Sequence, residues 1–213
     1  MPKKLQYFNL GGLAEPIRYI LHYTKQDFED FRHDIDTWPD LKIKESLPYG
    51  QFPLYEEDGK VLTQTLAIAK YVARGTELIP ADPWQHAIVE SFVYTVLDYW
   101  KNVTPYFLEK DPVKKEELKK VLFDETIEYY FSRFSKHLTE NGGFINGKLS
   151  WGEFVLTGII EASNLFLKIE LEKKYPVVGA TVEKIRNLPK VKEYIKARGP
   201  YTLPKIVRKN KQK

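Results

Sequence analysis

The chain of 213 residues has no cysteine and a single methionine. Without cysteine there is no disulfide framework, no protein thiol nucleophile and no thiolate-held metal, so a reactive sulfur has to arrive with a ligand. The four histidines, His22, His33, His86 and His137, are scattered along the chain and suggest no ligand cluster. The G-x-S-x-G and H-E-x-x-H motifs are also missing, which leaves hydrolase and metalloprotease readings unsupported. No uncharged run of about 18 residues occurs, and the opening "MPKKLQYFNL" lacks the apolar core of a secretory signal. A cytoplasmic protein with no membrane span is the expectation.

A strongly basic body is missing too. The formal net charge is +4, but Lys205, Arg208, Lys209, Lys211 and Lys213 crowd into the last nine positions, and setting these five aside leaves −1. That balance argues against a nucleic-acid reader, and residues 204–213 read as a solvated basic tail.

What is present falls into two textures. The 43% hydrophobic content suffices for a core. Up to about Leu78 strand and helix patterns alternate: "KKLQYFNL" as a strand, "AEPIRYILHYT" as a helix with Pro16 in its first turn, and "DFEDFRHD" as a second strand. An irregular "TWPDLKIKESLPYG" follows. Then "GQFPLYEEDGKVLTQT", residues 50–65, reads as a hairpin closed by Asp58-Gly59 and running into a helix from Thr65. Pro53 sits at a strand start, where an amide donor is lost. "ELIPADPW" reads as a linker. Beyond it only helix-length patterns occur: 84–108, 113–141, 151–170, 177–188 and 190–198. The expected organisation is an α/β domain over 1–78, a linker over 79–86 and an all-helical domain over 87–203.

"GGFINGKLS" approaches a phosphate-binding loop, but Leu149 stands where a magnesium-binding hydroxyl is needed and no strand precedes it. A helix C-cap at Gly142-Gly143, followed by a capping box from Ser150 to Glu153 with Leu149 and Phe154 as its staple, accounts for the same residues. Tyr7 ends the first strand and is followed by Gly11-Gly12 and a helix start, which points its phenol toward a positive helix end. Among 14 tyrosines, that position alone also fits a residue filling an interface.

Taken together, "YFNLGGLAEPIRYIL", "DTWPDLK", "LPYGQFPLYEEDGKVLTQTLAIAKYVA" and "GKLSWGEF" resemble the cytosolic glutathione S-transferases. The likeness is greatest to the sigma class, with its insect members and the related haematopoietic prostaglandin D synthase. The resemblance implies a thioredoxin-like α/β N-terminal domain, an all-α C-terminal domain, glutathione as co-substrate, and a homodimer. It implies that Tyr7 is catalytic, its hydroxyl donating to the glutathione sulfur and favouring thiolate. It implies a cis peptide before Pro53, which frees the Phe52 backbone to pair with the cysteinyl part of glutathione, with Gln51 alongside. Gln64 and Thr65 match the pair that takes the γ-glutamyl carboxylate at a helix N-terminus, and Trp38 and Lys42 match positions that hold the glycyl end. Asp98 matches an aspartate that reaches across the dimer, and Tyr49 matches an aromatic inserted into the neighbouring subunit. The hydrophobic-substrate wall implied by family position comprises Phe8, Leu10, Leu13, Trp100, Tyr106, Val155 and Leu203.

Magnitudes bound what Tyr7 contributes. Lowering the thiol pKa from about 8.5 to about 6.5 is worth roughly 2.7 kcal/mol and raises the thiolate fraction at pH 7 from about 3% to about 75%. A Brønsted coefficient of about 0.4 to 0.5 returns roughly 6- to 10-fold of that as lost nucleophilicity, so holding the electrophile beside the sulfur has to supply most of the rate.

The sequence departs from the family in several places. Leu13 stands where many sigma members carry arginine, and Thr65 replaces the usual serine. Tyr94 and Leu97 replace acidic residues of a metal site at the dimer axis, so the resemblance with this departure implies no metal. The expected activity is conjugation of glutathione to small hydrophobic electrophiles, with lipid-hydroperoxide reduction as an addition. A glutathione-dependent prostaglandin isomerase and a non-catalytic carrier or crystallin-like protein are the alternatives.

Overall fold

The computed structural model describes residues 3–35, 38 and 41–201. Strand β1 (Lys3–Phe8) leads through a 3-10 turn at Gly12–Ala14 into helix α1 (Glu15–Tyr23), and strand β2 (Phe28–His33) returns parallel to β1. Strands β3 (Leu54–Glu57) and β4 (Lys60–Thr63) form the hairpin, and helix α3 (Thr65–Ala73) follows directly. The sheet order is β2-β1-β3-β4, with β3 antiparallel to both β1 and β4. Asp58 and Gly59 take φ of 50° and 74°, the positive pair that a two-residue hairpin turn needs. Between β2 and β3, the stretch read as irregular contains helix α2 (Leu41–Ser46), too short for its periodicity to register.

Helix α4 (Pro83–Leu108) begins inside the segment read as linker, because Asp82 caps it by accepting from the Gln85 amide at 2.8 Å. Where one helix was expected over 113–141, helix α5 (Pro112–Val121) and helix α6 (Ile127–Glu140) are joined by a π-helical turn at Leu122–Thr126. The extra residue in that turn resets the phase: α5 buries none of its residues, whereas α6 buries Ile127, Phe131, Phe134 and Leu138 at helical spacing. The remaining helices are α7 (Trp151–Leu167), α8 (Leu171–Lys174), α9 (Pro176–Arg186) and α10 (Pro189–Arg198). Helix α7 stops three residues before the end of its apolar pattern because Lys168 turns left-handed, φ 57°.

The capping box is present. Ser150 N–H and Oγ–H donate to Glu153 Oε2 at 2.8 and 2.6 Å, and the Gly152 amide donates back to Ser150 Oγ at 3.2 Å. Glu153 also accepts from the Ile145 amide at 2.7 Å. Helix α7 is buried nearly all round and forms the centre of the molecule, with α4 on one side and α1 on the other. One continuous apolar core runs from Leu5 and Ile17 under the sheet to Phe131 and Val182 among the helices. The expected combination of a thioredoxin-like sheet and a helical second part is the observed fold.

Candidate active site

Tyr7 leaves the end of β1 with 7% of its surface exposed. The Leu13 amide, in the turn before α1, donates to its hydroxyl oxygen at 3.2 Å. Gly12 is what lets the phenol lie there: it has φ 50°, and a Cβ on it would come within 2.7 Å of the Tyr7 oxygen. Burial pushes the Tyr7 phenol above its ordinary pKa, against smaller opposing effects from the Leu13 amide and from Arg18. The group therefore stays protonated at neutral pH and keeps a hydrogen to donate.

Beneath the turn lies Arg18, wholly buried, a residue the sequence reading passed over. It donates to Leu10 O at 2.8 Å and to Phe8 O at 3.5 Å, and is neutralised by Glu15 at 3.2 Å and Asp30 at 3.0 Å. A buried cation with these partners costs less than an unpaired one and ties the turn's carbonyls to α1.

Above Tyr7 a cleft of about 280 Å³ opens between the two parts of the fold, lined by Tyr7, Phe8, Leu10, Leu13, Trp38 and Trp100 together with residues not anticipated. Ile35, Val103, Thr104, Phe107, Leu108 and Phe166 complete it. The α4 members continue the face of Trp100 at i+3, i+4, i+7 and i+8, a periodicity visible in the sequence. Phe166, from the far end of α7, joins only through the tertiary fold; its ring lies 4.3 Å from that of Phe107 and 5.7 Å from that of Trp100. None of the lining residues is charged. Two residues expected in this wall are elsewhere. Val155 is fully buried in the core on α7, and Tyr106 turns the other way, its ring 5.9 Å from Phe123 and 5.1 Å from Lys115 Nζ. Leu203 lies outside the described residues.

Beside the cleft the Phe52–Pro53 peptide is cis, and both residues are buried. The Phe52 ring packs against Phe8 at 5.5 Å, Trp38 at 5.5 Å and His33 at 4.6 Å. Trp38 stands edge-on to Phe8 at 5.1 Å, with Lys44 Nζ 5.0 Å from its ring. Gln51 and Lys42 are exposed. Gln64 is exposed too and takes φ 71°, ψ 122° just before the first residue of α3, Thr65, which is buried. That left-handed backbone is strained for a non-glycine residue. Asp98 is exposed on α4 and pairs with Lys101 at 2.8 Å. Tyr49 and Tyr94 stand out from the surface, 70% and 59% exposed. Among the described residues no group of three or more histidine or acidic side chains is arranged to hold a metal ion.

Comparison with known proteins adds a second line. The family described as "Glutathione S-transferase, N-terminal domain" matches residues 3–74, and "Glutathione S-transferase, C-terminal domain" matches residues 97–198. A glutathione S-transferase of Anopheles gambiae is 33% identical over 200 residues, covering 93% of this chain and 97% of the relative. The human hematopoietic prostaglandin D synthase is 33% identical over 199 residues, covering 92% and 96%. The structure described as prostaglandin synthase D of Nilaparvata lugens superposes with a TM-score of 0.89 at 37% identity, covering 94% of this chain and all of that one.

Proposed function

The chain belongs to the glutathione S-transferase family, and we propose that it conjugates glutathione to small hydrophobic electrophiles through Tyr7. The observation that carries this reading is the buried Tyr7 hydroxyl, held by the Leu13 amide at the floor of an uncharged aromatic cleft. A protonated phenol there donates to the glutathione sulfur and favours thiolate, the thiol proton passing to solvent. The sulfur lone pair then forms the new bond to the electrophilic carbon, and the leaving group departs with its electron pair. The cleft contributes by holding that carbon beside the sulfur, the larger part of the rate.

Glutathione itself is assigned to the edge beside the cleft. The Phe52 backbone takes the cysteinyl part as a short added strand. The γ-glutamyl carboxylate goes to Gln64, Thr65 and the amides that open α3, where the helix dipole favours an anion. The strained Gln64 backbone supports this, because strain of that kind collects at ligand sites. Trp38, Lys42 and Gln51 take the glycyl end and its surroundings.

The sigma class and a homodimer belong to the same reading. Their support is the set of relatives, together with the exposed Tyr49 and a groove of about 340 Å³ between α4 and α6 lined by Ile88, Phe92, Phe134 and His137. In such a dimer Asp98 exchanges its contact with Lys101 for the partner's glutathione amine. The uncharged cleft weighs against a fatty-acid substrate and hence against the prostaglandin-isomerase alternative.

The test is initial-rate conjugation of glutathione to a neutral aryl halide by the wild type and Tyr7→Phe, with glutathione binding measured on both. The expected outcome is turnover by the wild type and a loss of at least about tenfold in the variant at unchanged glutathione affinity. Equal rates in the two proteins would remove Tyr7 from the mechanism.

A further inference from the structure

The turn that carries Leu10 to Leu13 is held from behind by a residue from the other end of the chain. After α10, Gly199 takes φ 66° and turns the backbone so that Tyr201 lies against Gly11. A Cβ on Gly11 would be 3.0 Å from Tyr201 Cε2, so the ring occupies the space a side chain would need. The Tyr201 hydroxyl donates to Glu15 Oε2 at 2.8 Å and lies 3.2 Å from the Tyr194 hydroxyl. Arg18 donates to it at 3.4 Å, and the Arg198 guanidinium sits 4.3 Å from its ring.

Charge balance does not require Tyr201. Glu15 is already in contact with Arg18 at 3.2 Å and Arg198 at 2.8 Å, and accepts from Tyr194 at 3.3 Å. What Tyr201 adds is ring packing on Gly11 and one charge-assisted bond to the carboxylate that orients Arg18. Arg18 in turn grips the carbonyls of Phe8 and Leu10. Burial, reinforced by Glu15, pushes the Tyr201 phenol up to about 12, so it is a donor throughout the neutral range.

We infer that Tyr201 is a positioning residue for Tyr7: it clamps the Gly11-Gly12 turn against Arg18 and so fixes the Leu13 amide and the phenol it contacts in their catalytic orientation. The inference rests on the reading of Tyr7 as the hydrogen-bond donor to the glutathione sulfur.

Two readouts test it on the full chain. In glutathione-free protein, hydrogen exchange at the Gly11, Gly12 and Leu13 amides is expected to accelerate by about tenfold or more in Tyr201→Ala. With glutathione and a neutral aryl halide, the acid limb of kcat/KM is expected to move up by about half a pH unit or more, while the glutathione KM changes less than about twofold. Tyr201→Phe keeps the ring and is expected to fall between, with about threefold faster exchange. Gly11 has φ −68°, which alanine adopts freely, so Gly11→Ala is expected to perturb the same readouts in the wild type and to be tolerated in Tyr201→Ala. A folded Tyr201→Ala protein with wild-type exchange and pH profile overturns the inference, as does additivity with Gly11→Ala. Should Tyr201→Ala not fold, unchanged exchange in Tyr201→Phe overturns it. If the wild type conjugates nothing, the glutathione reading falls, and the exchange and Gly11 arms still decide whether Tyr201 holds the turn.

Discussion

Gly158 of α7 meets Pro16 of α1 so closely that a Cβ on Gly158 would lie 2.6 Å from the proline Cδ and 2.9 Å from its nitrogen. This contact lies where α1 of the sheet part packs on α7 of the helical part. Gly158→Ala is expected to cost about 2 kcal/mol or more, since the atoms the new methyl would meet belong to a rigid proline ring and to backbone rather than to the end of a flexible side chain. Urea unfolding measures it; an unchanged midpoint would show that the joint yields to a methyl group.

The uncharged cleft bears on what the enzyme accepts. A neutral aryl electrophile is expected to outcompete an analogue of the same shape carrying a carboxylate by at least about tenfold in kcat/KM, because the charge would be buried without a partner. Leu13→Arg supplies that partner and is expected to narrow the ratio several-fold. Indifference to the carboxylate in the wild type would sink this account of the cleft.

Glu153 sits wholly buried and accepts from the Ile145 amide, the Ser150 amide and the Ser150 hydroxyl. Glu153→Ala strands two buried amides and is expected to cost about 3 kcal/mol or more, against about 1 kcal/mol for Ser150→Ala. Chemical denaturation of the two variants and their double mutant checks this, with the double expected to fall short of the sum. Similar costs for the two single changes would mean the cap alone matters.

Sedimentation equilibrium addresses assembly. The chain is expected to run as a dimer, and Tyr49→Ala to weaken the dimer by at least about 30-fold, the effect of losing a central aromatic anchor. A monomeric wild type, or a variant that dimerises as tightly, would remove Tyr49 from the interface.

Much of this was legible before any coordinates. The Asp58-Gly59 turn, the Ser150–Glu153 box and the glycine caps are local: each depends on residues within a few positions of one another, so the sequence carries the whole signal. Tyr7, Phe8, Leu10, Leu13 and Trp100 were placed in one region through family pattern, and the structure brings them to one cleft. Tyr106 and Val155, expected in the same wall, are not among the residues that line this cleft, for a common reason. A helix has several faces, and a shift of one or two residues in phase decides whether a side chain faces a cleft, the core or a neighbouring helix.

What the sequence by itself determined, then, is everything that follows from short-range chemistry. It determined that no thiol or thiolate-held metal comes from the protein, where the turns and caps fall, and that an α/β part precedes a helical one. Only the tertiary structure decided which distant groups share a volume. Arg18 is an ordinary α1 residue until Asp30 and Tyr201 close on it, Phe166 is one more apolar residue of α7 until it meets Phe107, and Tyr201 lies 190 positions from the glycine it covers. The physical reason is that burial and pairing energies depend on proximity in space, which chain separation does not encode.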